Sequence, residues 1–140
     1  MAEPMQVEVV SAARVVWSGQ ADQIIARTSD GDLGILPGHA PVLAVLVPSG
    51  VEVFGTDGNR EIVAVDGGFI SVDHGHVSIL SEYARLASEI SVDQAEKELA
   101  QASKALEEGD PDDPDARKEY GRAEAQLKAA HKFAGTSSHL

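Results

Sequence analysis

Three histidines and one aspartate are the side chains best suited to bind a metal ion: His39, Asp73, His74 and His76. The spacing of His74 and His76 would place both imidazoles on one face of a strand, as in metal-binding β-barrels. However, Gly75 between them favours a turn, and no glutamate or third histidine follows at a supporting distance. We therefore interpret the histidines as turn residues and expect no metal site. A small metal-dependent β-barrel enzyme is the less favoured alternative.

Other catalytic motifs are missing from the sequence. It has no cysteine and no Gly-x-Ser-x-Gly segment, which argues against a nucleophilic site. The Gly-Asp-Leu-Gly segment at 31–34 lacks the lysine and the following helix of a phosphate-binding loop. Neighbouring carboxylates such as Asp30 and Asp32 are expected from composition, because the chain has 23 acidic residues. The sequence predicts a protein that is not itself an enzyme.

Net charge and hydropathy limit the classes of partner that the chain can bind directly. The net charge of −12 argues against nucleic acid and against direct attachment to an anionic membrane. The N-terminus lacks the basic start and apolar run of a signal peptide. No apolar stretch reaches the roughly 18 residues that a membrane-spanning helix needs. We expect any association with a membrane to come through a partner.

Residues 1–88 have the pattern of an all-β domain. Short runs rich in valine and isoleucine alternate with turn signals roughly every 8–12 residues, as in a sandwich or barrel. Asp57-Gly58-Asn59 predicts a hairpin turn, and Gly67-Gly68 and His74-Gly75 predict two further turns or bulges. The runs predict strands at Gln6–Val10, Arg14–Ser18, Gln23–Arg27, Asp32–Leu36, Val42–Val47, Val51–Phe54, Glu61–Asp66, Gly68–Val72 and His76–Ser81.

The second part of the chain has the pattern of two helices joined by a short turn. Ser91 followed by Gln94 is a capping box that predicts a helix start. Gly109 predicts the end of that helix, and Asp113 followed by Pro114 predicts the start of the next one. Each helix carries one apolar stripe: Ala95, Leu99, Ala102 and Leu106, then Ala116, Tyr120, Ala123, Leu127 and Ala130.

The predicted hairpin is weakly held. Both stripes are narrow and mostly alanine, and burial contributes only about 25 cal/mol per Å² of apolar surface. Gly121 within the second helix costs roughly 1 kcal/mol relative to alanine. The hairpin could therefore close on itself, lie on the β domain, or extend along another protein. We divide the chain into a β domain at 1–88, a helical hairpin at 89–134 and a flexible tail at 135–140.

Charge is distributed unevenly along the hairpin. Residues 89–115 carry a net charge of −8, whereas residues 116–132 carry +3. A basic helix on an acidic chain is a candidate contact for an acidic partner surface. The simpler alternative is a solvated helix face whose cations favour the helix C-terminus.

Residues 31–41 form the most distinctive segment, Gly-Asp-Leu-Gly-Ile-Leu-Pro-Gly-His-Ala-Pro. Its glycines and prolines hold a specific backbone path, suited to a tight strand connection or to a rigid loop for a protein partner. The segment resembles the signature G-[DE]-x-G-[IV]-L-P-G-H-A-P of F-type ATP synthase epsilon subunits. Shorter elements resemble the same family in the same order, at 9–11, 16–19, 49–53, 65–69 and 77–80. The resemblance is close over 1–108 and loose over the final helix.

The resemblance implies a fold and a role. The fold is an antiparallel β-sandwich of about ten strands followed by an antiparallel helical hairpin. The role is that of a non-catalytic central-stalk subunit, whose sandwich contacts the gamma subunit and the membrane rotor ring. The hairpin would extend to the alpha and beta subunits of the catalytic head and restrain ATP hydrolysis. Such a protein is peripheral on the cytoplasmic face of the bacterial plasma membrane.

The resemblance also assigns residues. It implies that Ser11, His39 and Ala44 face the gamma subunit and that Asp32 faces the rotor ring. It further implies that the basic residues of the last helix meet acidic loops of the catalytic head when the hairpin extends: Arg117, Lys118, Arg122, Lys128 and Lys132.

The start of the first helix departs from the family pattern. Many members carry Ile-Asp-x-x-Arg there, which binds regulatory ATP in some of them. Here Ser91 replaces the aspartate and Gln94 the arginine, and a glutamine cannot offer the charged fork that binds phosphate. We predict no ATP site and no other cofactor. A β-sandwich adaptor with a helical oligomerisation hairpin, unrelated to ATP synthase, is the alternative function.

Overall fold

The computed structural model describes residues 3–135, which form nine strands followed by two helices. The strands are β1 Met5–Val10, β2 Val15–Thr28, β3 Gly31–Ile35, β4 Val42–Val45, β5 Ser49–Gly55, β6 Arg60–Val65, β7 Phe69–Asp73, β8 His76–Leu80 and β9 Ala84–Leu86. A short 3-10 helix at Ala87–Glu89 leads to α1 Val92–Glu108 and α2 Pro114–Phe133. The predicted fold class, a β-sandwich followed by a helical hairpin, is confirmed. The predicted flexible tail lies outside the described residues from 136 onward.

A single long strand links the sheet together. The strand order is β4-β7-β8-β1-β2-β5-β6-β9, with β3 also beside β2. The first half of β2 pairs with β1, whereas its second half pairs with β3 and β5. Its register with β5 shifts between Ala21 and Gln23, an irregularity that bends a strand. The sheet can therefore fold over at β2 and enclose one core between its two halves.

Two strand predictions were wrong in detail. Arg14–Ser18 and Gln23–Arg27 were predicted as separate strands, but residues 15–18 and 23–27 both lie within β2, because the residues between them continue the pairing with β1. Strand β9 was missed, because three residues are too few to show alternation. It forms a ladder with β6 that only the folded chain brings together.

The core follows the two-residue period of the strands. In β1, Met5, Val7 and Val9 are buried, and the residues between them are exposed. Strand β6 departs from this alternation, since Ile62–Val65 are all buried. Val63 and Val65 face the sandwich core, whereas Ile62 and its neighbour Ala64 face a second small core. Something must therefore cover the outer face of β6.

Local signals set the turns and the helix ends as predicted. Gly58 has a positive φ between β5 and β6, and Asp57 accepts hydrogen bonds from the backbone and side chain of Asn59. Ser91 caps α1 by accepting from the backbone N–H of Gln94 at 3.3 Å. The capping box is only half formed, because the Gln94 amide donates forward to Glu98 instead.

Helix α2 covers the outer face of β5 and β6. The structure combines two of the three hairpin arrangements left open by the sequence: α1 and α2 pack on each other, and α2 lies on the sandwich. Ala123 and Ala130 of the predicted stripe are buried. Ala125 and Ala129, which the stripe did not include, are fully buried in the second core with Ile62. Helix α2 thus has two buried faces, and the sequence indicated one.

Candidate interaction surfaces

Five apolar residues form a row across the outer face of the sandwich. In the register of adjacent strands, Val45 pairs with Phe69, Phe69 with Leu80, Leu80 with Val10, and Val10 with Val15. Four of them are about half exposed, and Val10 is partly buried. We call this row the apolar ladder. Exposed apolar residues that are contiguous across several strands mark a protein interface more often than scattered ones.

The three central residues of the apolar ladder line a shallow groove of about 380 Å³. We call it the apolar groove, and its lining residues are Val10, Ser11, Ala12, Gly68, Phe69, Leu80, Ser81 and Glu82. Gly68 permits this shape, because a Cβ atom at this position would lie 2.0 Å from the Leu80 carbonyl oxygen. Its lining residues are apolar apart from the two serines and Glu82, and little polar surface faces the groove.

Two of the predicted gamma-subunit contacts lie in different places. Ser11 lines the apolar groove, and its hydroxyl accepts from the backbone N–H groups of Ala13 and Arg14 at 3.2 Å. His39 lies in the loop between β3 and β4, where its Nδ1 is 2.7 Å from the Ala40 carbonyl oxygen. His39 is not among the residues that line the apolar groove.

The third predicted contact, Ala44, faces inward on β4. It packs partly against the sandwich core, while its neighbours Leu43 and Val45 are 70% and 49% exposed. The sequence pointed to this strand, but it did not show which face is outside, because all four residues of β4 are apolar. Pairing of β4 with β7 decides the orientation.

Asp32, the predicted rotor-ring contact, is exposed and forms an ion pair. It lies opposite Arg27 across the β2–β3 hairpin, with 2.9 Å between Arg27 Nε and Asp32 Oδ1. The Arg27 hydrogen bond holds the pKa of Asp32 below its usual value, and the same bond raises the pKa of Arg27. Leu36, next to the end of β3, is 56% exposed and adds an apolar contact to this edge.

Two cations of α2 bind the sandwich through acidic residues. Arg122 Nε lies 2.9 Å from Asp66, and its terminal nitrogen lies 3.2 Å from Glu82. Lys118 also pairs with Glu82. The guanidinium group stands 5.4 Å from the ring centre of Tyr83, within reach of a cation–π interaction. We call Asp66, Glu82, Lys118 and Arg122 the clasp.

Asp66 is the member of the clasp that is held by hydrogen bonds within the sandwich as well as by α2. Its side chain is 8% exposed, and it accepts from the Ser81 hydroxyl at 2.9 Å and from the Tyr83 backbone N–H at 3.2 Å. Arg122 supplies the third donor, at 2.9 Å. These three donors, one of them an arginine, compensate for the burial of the carboxylate.

A second contact holds the other end of α2. Lys132 donates to the Gly50 carbonyl oxygen at 3.1 Å and lies 3.4 Å from Glu52, which also pairs with Arg60 at 2.8 Å. Ala129 packs directly on Gly50: a Cβ atom added to that glycine would lie 2.9 Å from the Ala129 Cα. The missing side chain of Gly50 therefore permits the helix to approach the strand.

The remaining basic residues of α2 are not bound to the sandwich. Lys128 pairs with Glu124 one turn earlier on the same helix, at 3.7 Å. Arg117 is exposed in the first turn of α2. The structure thus divides the five predicted head contacts into three that hold the hairpin down and two that do not.

A polar cleft of about 340 Å³ separates α1 from α2. Its lining residues are Glu98, Gln101, Ala102, Glu119, Arg122, Ala123 and Gln126. Arg122 is already bound to two carboxylates, and the two lining glutamates would repel a phosphate. Ser91 is occupied as the cap of α1.

Within residues 3–135, neither the histidines nor the helices provide a further candidate site. In the part of the chain that the structure describes, no three side chains of His, Cys, Asp or Glu come together as a metal site would require. His74 pairs with Asp73 at the β7–β8 turn, where its φ is positive. Neither helix within residues 3–135 is long and apolar enough to span a membrane.

Comparisons with known proteins agree on one family. A family model described as "ATP synthase, Delta/Epsilon chain, beta-sandwich domain" matches residues 4–87. The ATP synthase epsilon chain of Cutibacterium acnes is 54% identical over 68 residues, 49% of this chain and 47% of the relative. That of Frankia casuarinae is also 54% identical over 68 residues, 49% of this chain and 80% of the relative. The match spans about half the length of the Cutibacterium acnes protein.

Two solved structures share the fold. A chain of the Euglena gracilis mitochondrial ATP synthase, in a structure of OSCP, F1 and c-ring, superposes with a TM-score of 0.71. It is 23% identical, and the match covers 94% of this chain and 81% of the other. A chain from the central stalk and c-ring of the Tetrahymena thermophila enzyme gives a TM-score of 0.58 at 17% identity, covering 97% and 98%. At these identities the likeness shows the fold alone.

Proposed function

Because the chain belongs to the family of ATP synthase delta/epsilon chains, we propose that it is the epsilon-type central-stalk subunit of a bacterial F-type ATP synthase. It joins the gamma subunit to the membrane rotor ring, and it restrains ATP hydrolysis through its helical hairpin. It has no catalytic site of its own and reaches the cytoplasmic face of the plasma membrane through these partners. The observation that carries the proposal is the apolar ladder.

The apolar ladder supports the contact with the gamma subunit. It presents apolar side chains from five neighbouring strands on one outer face, and it continues into a groove that contains Ser11. On β4, Leu43 extends this surface beyond Val45, and these two residues replace the inward-facing Ala44 as the groups that a partner would touch. Burial of an apolar surface of this kind stabilises a contact between subunits.

The β2–β3 hairpin and the start of the loop after it support the contact with the rotor ring. Asp32 and Arg27 form an exposed pair at the β2–β3 hairpin, and Leu36 is exposed where the signature segment leaves β3. An exposed apolar side chain beside a balanced ion pair suits a contact with polar loops of a ring. The hydrogen bond from Arg27 lowers the pKa of Asp32, so the ion pair persists to a pH below the usual aspartate pKa.

The hairpin supports the regulatory part of the proposal. In the structure, Lys118, Arg122 and Lys132 are bound to carboxylates of the sandwich. These cations become available to acidic loops of the alpha and beta subunits only when α2 leaves β5 and β6. The hairpin is thus held in the state that does not restrain hydrolysis, and its release produces the restraining state.

Regulation takes place without bound ATP in this proposal. Ser91 and Gln94 stand where ATP-binding relatives carry aspartate and arginine, and the cleft between the helices has two glutamates. Calorimetry with ATP and the isolated chain should show no binding. A micromolar dissociation constant would contradict this part of the proposal.

A tagged pull-down from gently solubilised host membranes tests the main proposal. The parent chain should recover an active ATPase together with the gamma and ring subunits. The double variant Phe69→Ser, Leu80→Ser should lose these subunits, because it places hydroxyls in the apolar ladder. Phe133→Ser is the matched control, since Phe133 is 46% exposed but lies on α2 outside the ladder.

The outcomes of the pull-down separate the alternatives. Recovery of the parent chain alone, or with unrelated proteins, would reject the central-stalk proposal and favour an adaptor. If the double variant still recovers the gamma subunit as well as the parent does, the ladder is not the contact surface. Removal of residues 91–140 should leave assembly intact and should raise ATP hydrolysis or leave it unchanged.

A further inference from the structure

Glu82 belongs both to the apolar groove and to the clasp. It is one of the residues that line the groove, and its carboxylate pairs with Lys118 and Arg122 of α2. Its side chain is 56% exposed and borders the groove, so a partner that fills the groove and extends past Glu82 also covers its carboxylate. The partner surface and the hairpin therefore meet at one residue.

Backbone hydrogen bonds fix the position of Glu82 between the two sites. The Ser81 N–H donates to the Val10 carbonyl at 3.0 Å, and the Ala12 N–H donates to the Glu82 carbonyl at 3.3 Å. The Ser81 hydroxyl donates to Asp66 at 2.9 Å. Segment 80–82 is thus tied to the end of β1 on the groove side and to the clasp on the hairpin side.

The electrostatic consequence follows from desolvation. An apolar partner that covers the groove removes water from the Glu82 carboxylate, and a carboxylate without water or a counter-charge is unfavourable. With α2 on the sandwich, Lys118 and Arg122 supply the counter-charge. With α2 released, Glu82 would be covered and unpaired. An apolar partner therefore binds the groove more tightly when the hairpin lies on the sandwich.

We propose that the bound hairpin strengthens the attachment of the gamma subunit to the apolar groove by neutralising Glu82, and that the attached gamma subunit in turn holds the hairpin on the sandwich. The inference rests on the proposed function, because it takes the gamma subunit as the occupant of the groove. Reciprocity is a thermodynamic requirement: if one bound state favours the other, the converse holds by the same factor.

The test is the affinity of the full chain for the purified gamma subunit. The double variant Lys118→Ala, Arg122→Ala leaves Glu82 without its cations and should bind about five-fold more weakly, at the low end of coupling factors since Glu82 is partly exposed. Adding Glu82→Gln removes the uncompensated charge and should restore the affinity to within about two-fold of the parent. Circular dichroism of each variant checks that it is folded.

Lys132→Ala is the matched control. It removes the other cationic contact of α2, ten residues beyond Arg122 and roughly 15 Å further along the helix, while Glu82 keeps its partners. It should bind the gamma subunit as the parent does. A five-fold loss with Lys132→Ala that Glu82→Gln does not rescue would overturn the inference, because hairpin loosening in general, rather than Glu82, would then control the affinity.

Two results would overturn the inference in different ways. If the parent binds the gamma subunit and the Lys118→Ala, Arg122→Ala variant binds equally well, or Glu82→Gln fails to rescue it, the coupling is rejected and the proposed function stands. If the parent does not bind the gamma subunit, the proposed function fails and the coupling fails with it.

Discussion

Gly50→Ala should release the hairpin from the sandwich without changing any charge. The added Cβ atom would lie 2.9 Å from the Ala129 Cα and 3.1 Å from both the Ala129 Cβ and a methyl group of Ile62. Carbon atoms in contact normally stand about 3.5–4.0 Å apart, so the helix must move away by roughly 0.6–1 Å. Such a gap removes a quarter to a half of the dispersion attraction between the surfaces.

The size of the effect follows from this misfit. Inserting a methyl group into a well-packed contact costs about 1–3 kcal/mol. The ratio of bound to released hairpin should therefore fall roughly 5- to 150-fold. The sandwich core is not affected, because Val51 and Val53, the inward residues of β5 beyond Gly50, face the opposite side of the strand.

Hydrogen exchange of backbone amides measures the release. In Gly50→Ala, amides of α2 should exchange faster by the same factor, while amides of β1 and β8 keep their parent rates. Gly34→Ala is the control, because Gly34 lies in β3 with open space where a Cβ would be and does not have a positive φ. Unchanged exchange in α2 of folded Gly50→Ala would refute the packing of Ala129 on Gly50. Equal acceleration of α2 and the strands would refute a separable hairpin.

Three further predictions test the second core, the signature loop and the clasp. Ile62→Ala should lower the free energy of unfolding by about 2–5 kcal/mol in a urea titration, since Ile62 is 1% exposed against Ala125. In Arg27→Gln, an NMR titration should show the pKa of Asp32 rising toward its usual value. In the parent, the folded state lowers this pKa, so Asp32 stabilises the fold at pH values above the usual aspartate pKa. That stabilisation is lost as the pH falls through the lowered pKa of the folded state. Glu82→Gln should increase the restraint of ATP hydrolysis in the whole complex, because it weakens the clasp and keeps the cations; hydrolysis equal to or above the parent's would contradict this.

The sequence indicated the fold class and most local features because those depend on neighbours in the chain. The Asp57–Asn59 turn and the caps Ser91 and Asp113 each rest on hydrogen bonds between residues two or three positions apart. Alternation in strands such as β1 shows which residues are inside, since the side-chain period is two. The signature segment at 31–41 indicated the family, which the comparison then showed independently.

The sequence did not decide how these elements meet. Alternation was uninformative in β4, where every residue is apolar, and in β6, where both faces are covered. The basic residues of α2 were recognised, but not that Arg122 binds Asp66 and Glu82, because these pairs join residues 56 and 40 positions apart. The alanine face at 125 and 129 has meaning only beside a strand with a glycine at position 50.

The sequence by itself determined most of the strands, the turns, the helix ends and the charge of each helix, since these follow from local hydrogen bonding and composition. The tertiary structure alone decided that the hairpin lies on β5 and β6, and that Glu82 stands between the apolar groove and the clasp. The physical reason is that close packing and ion pairing depend on distances between remote segments. Those distances are set only when the whole chain is folded.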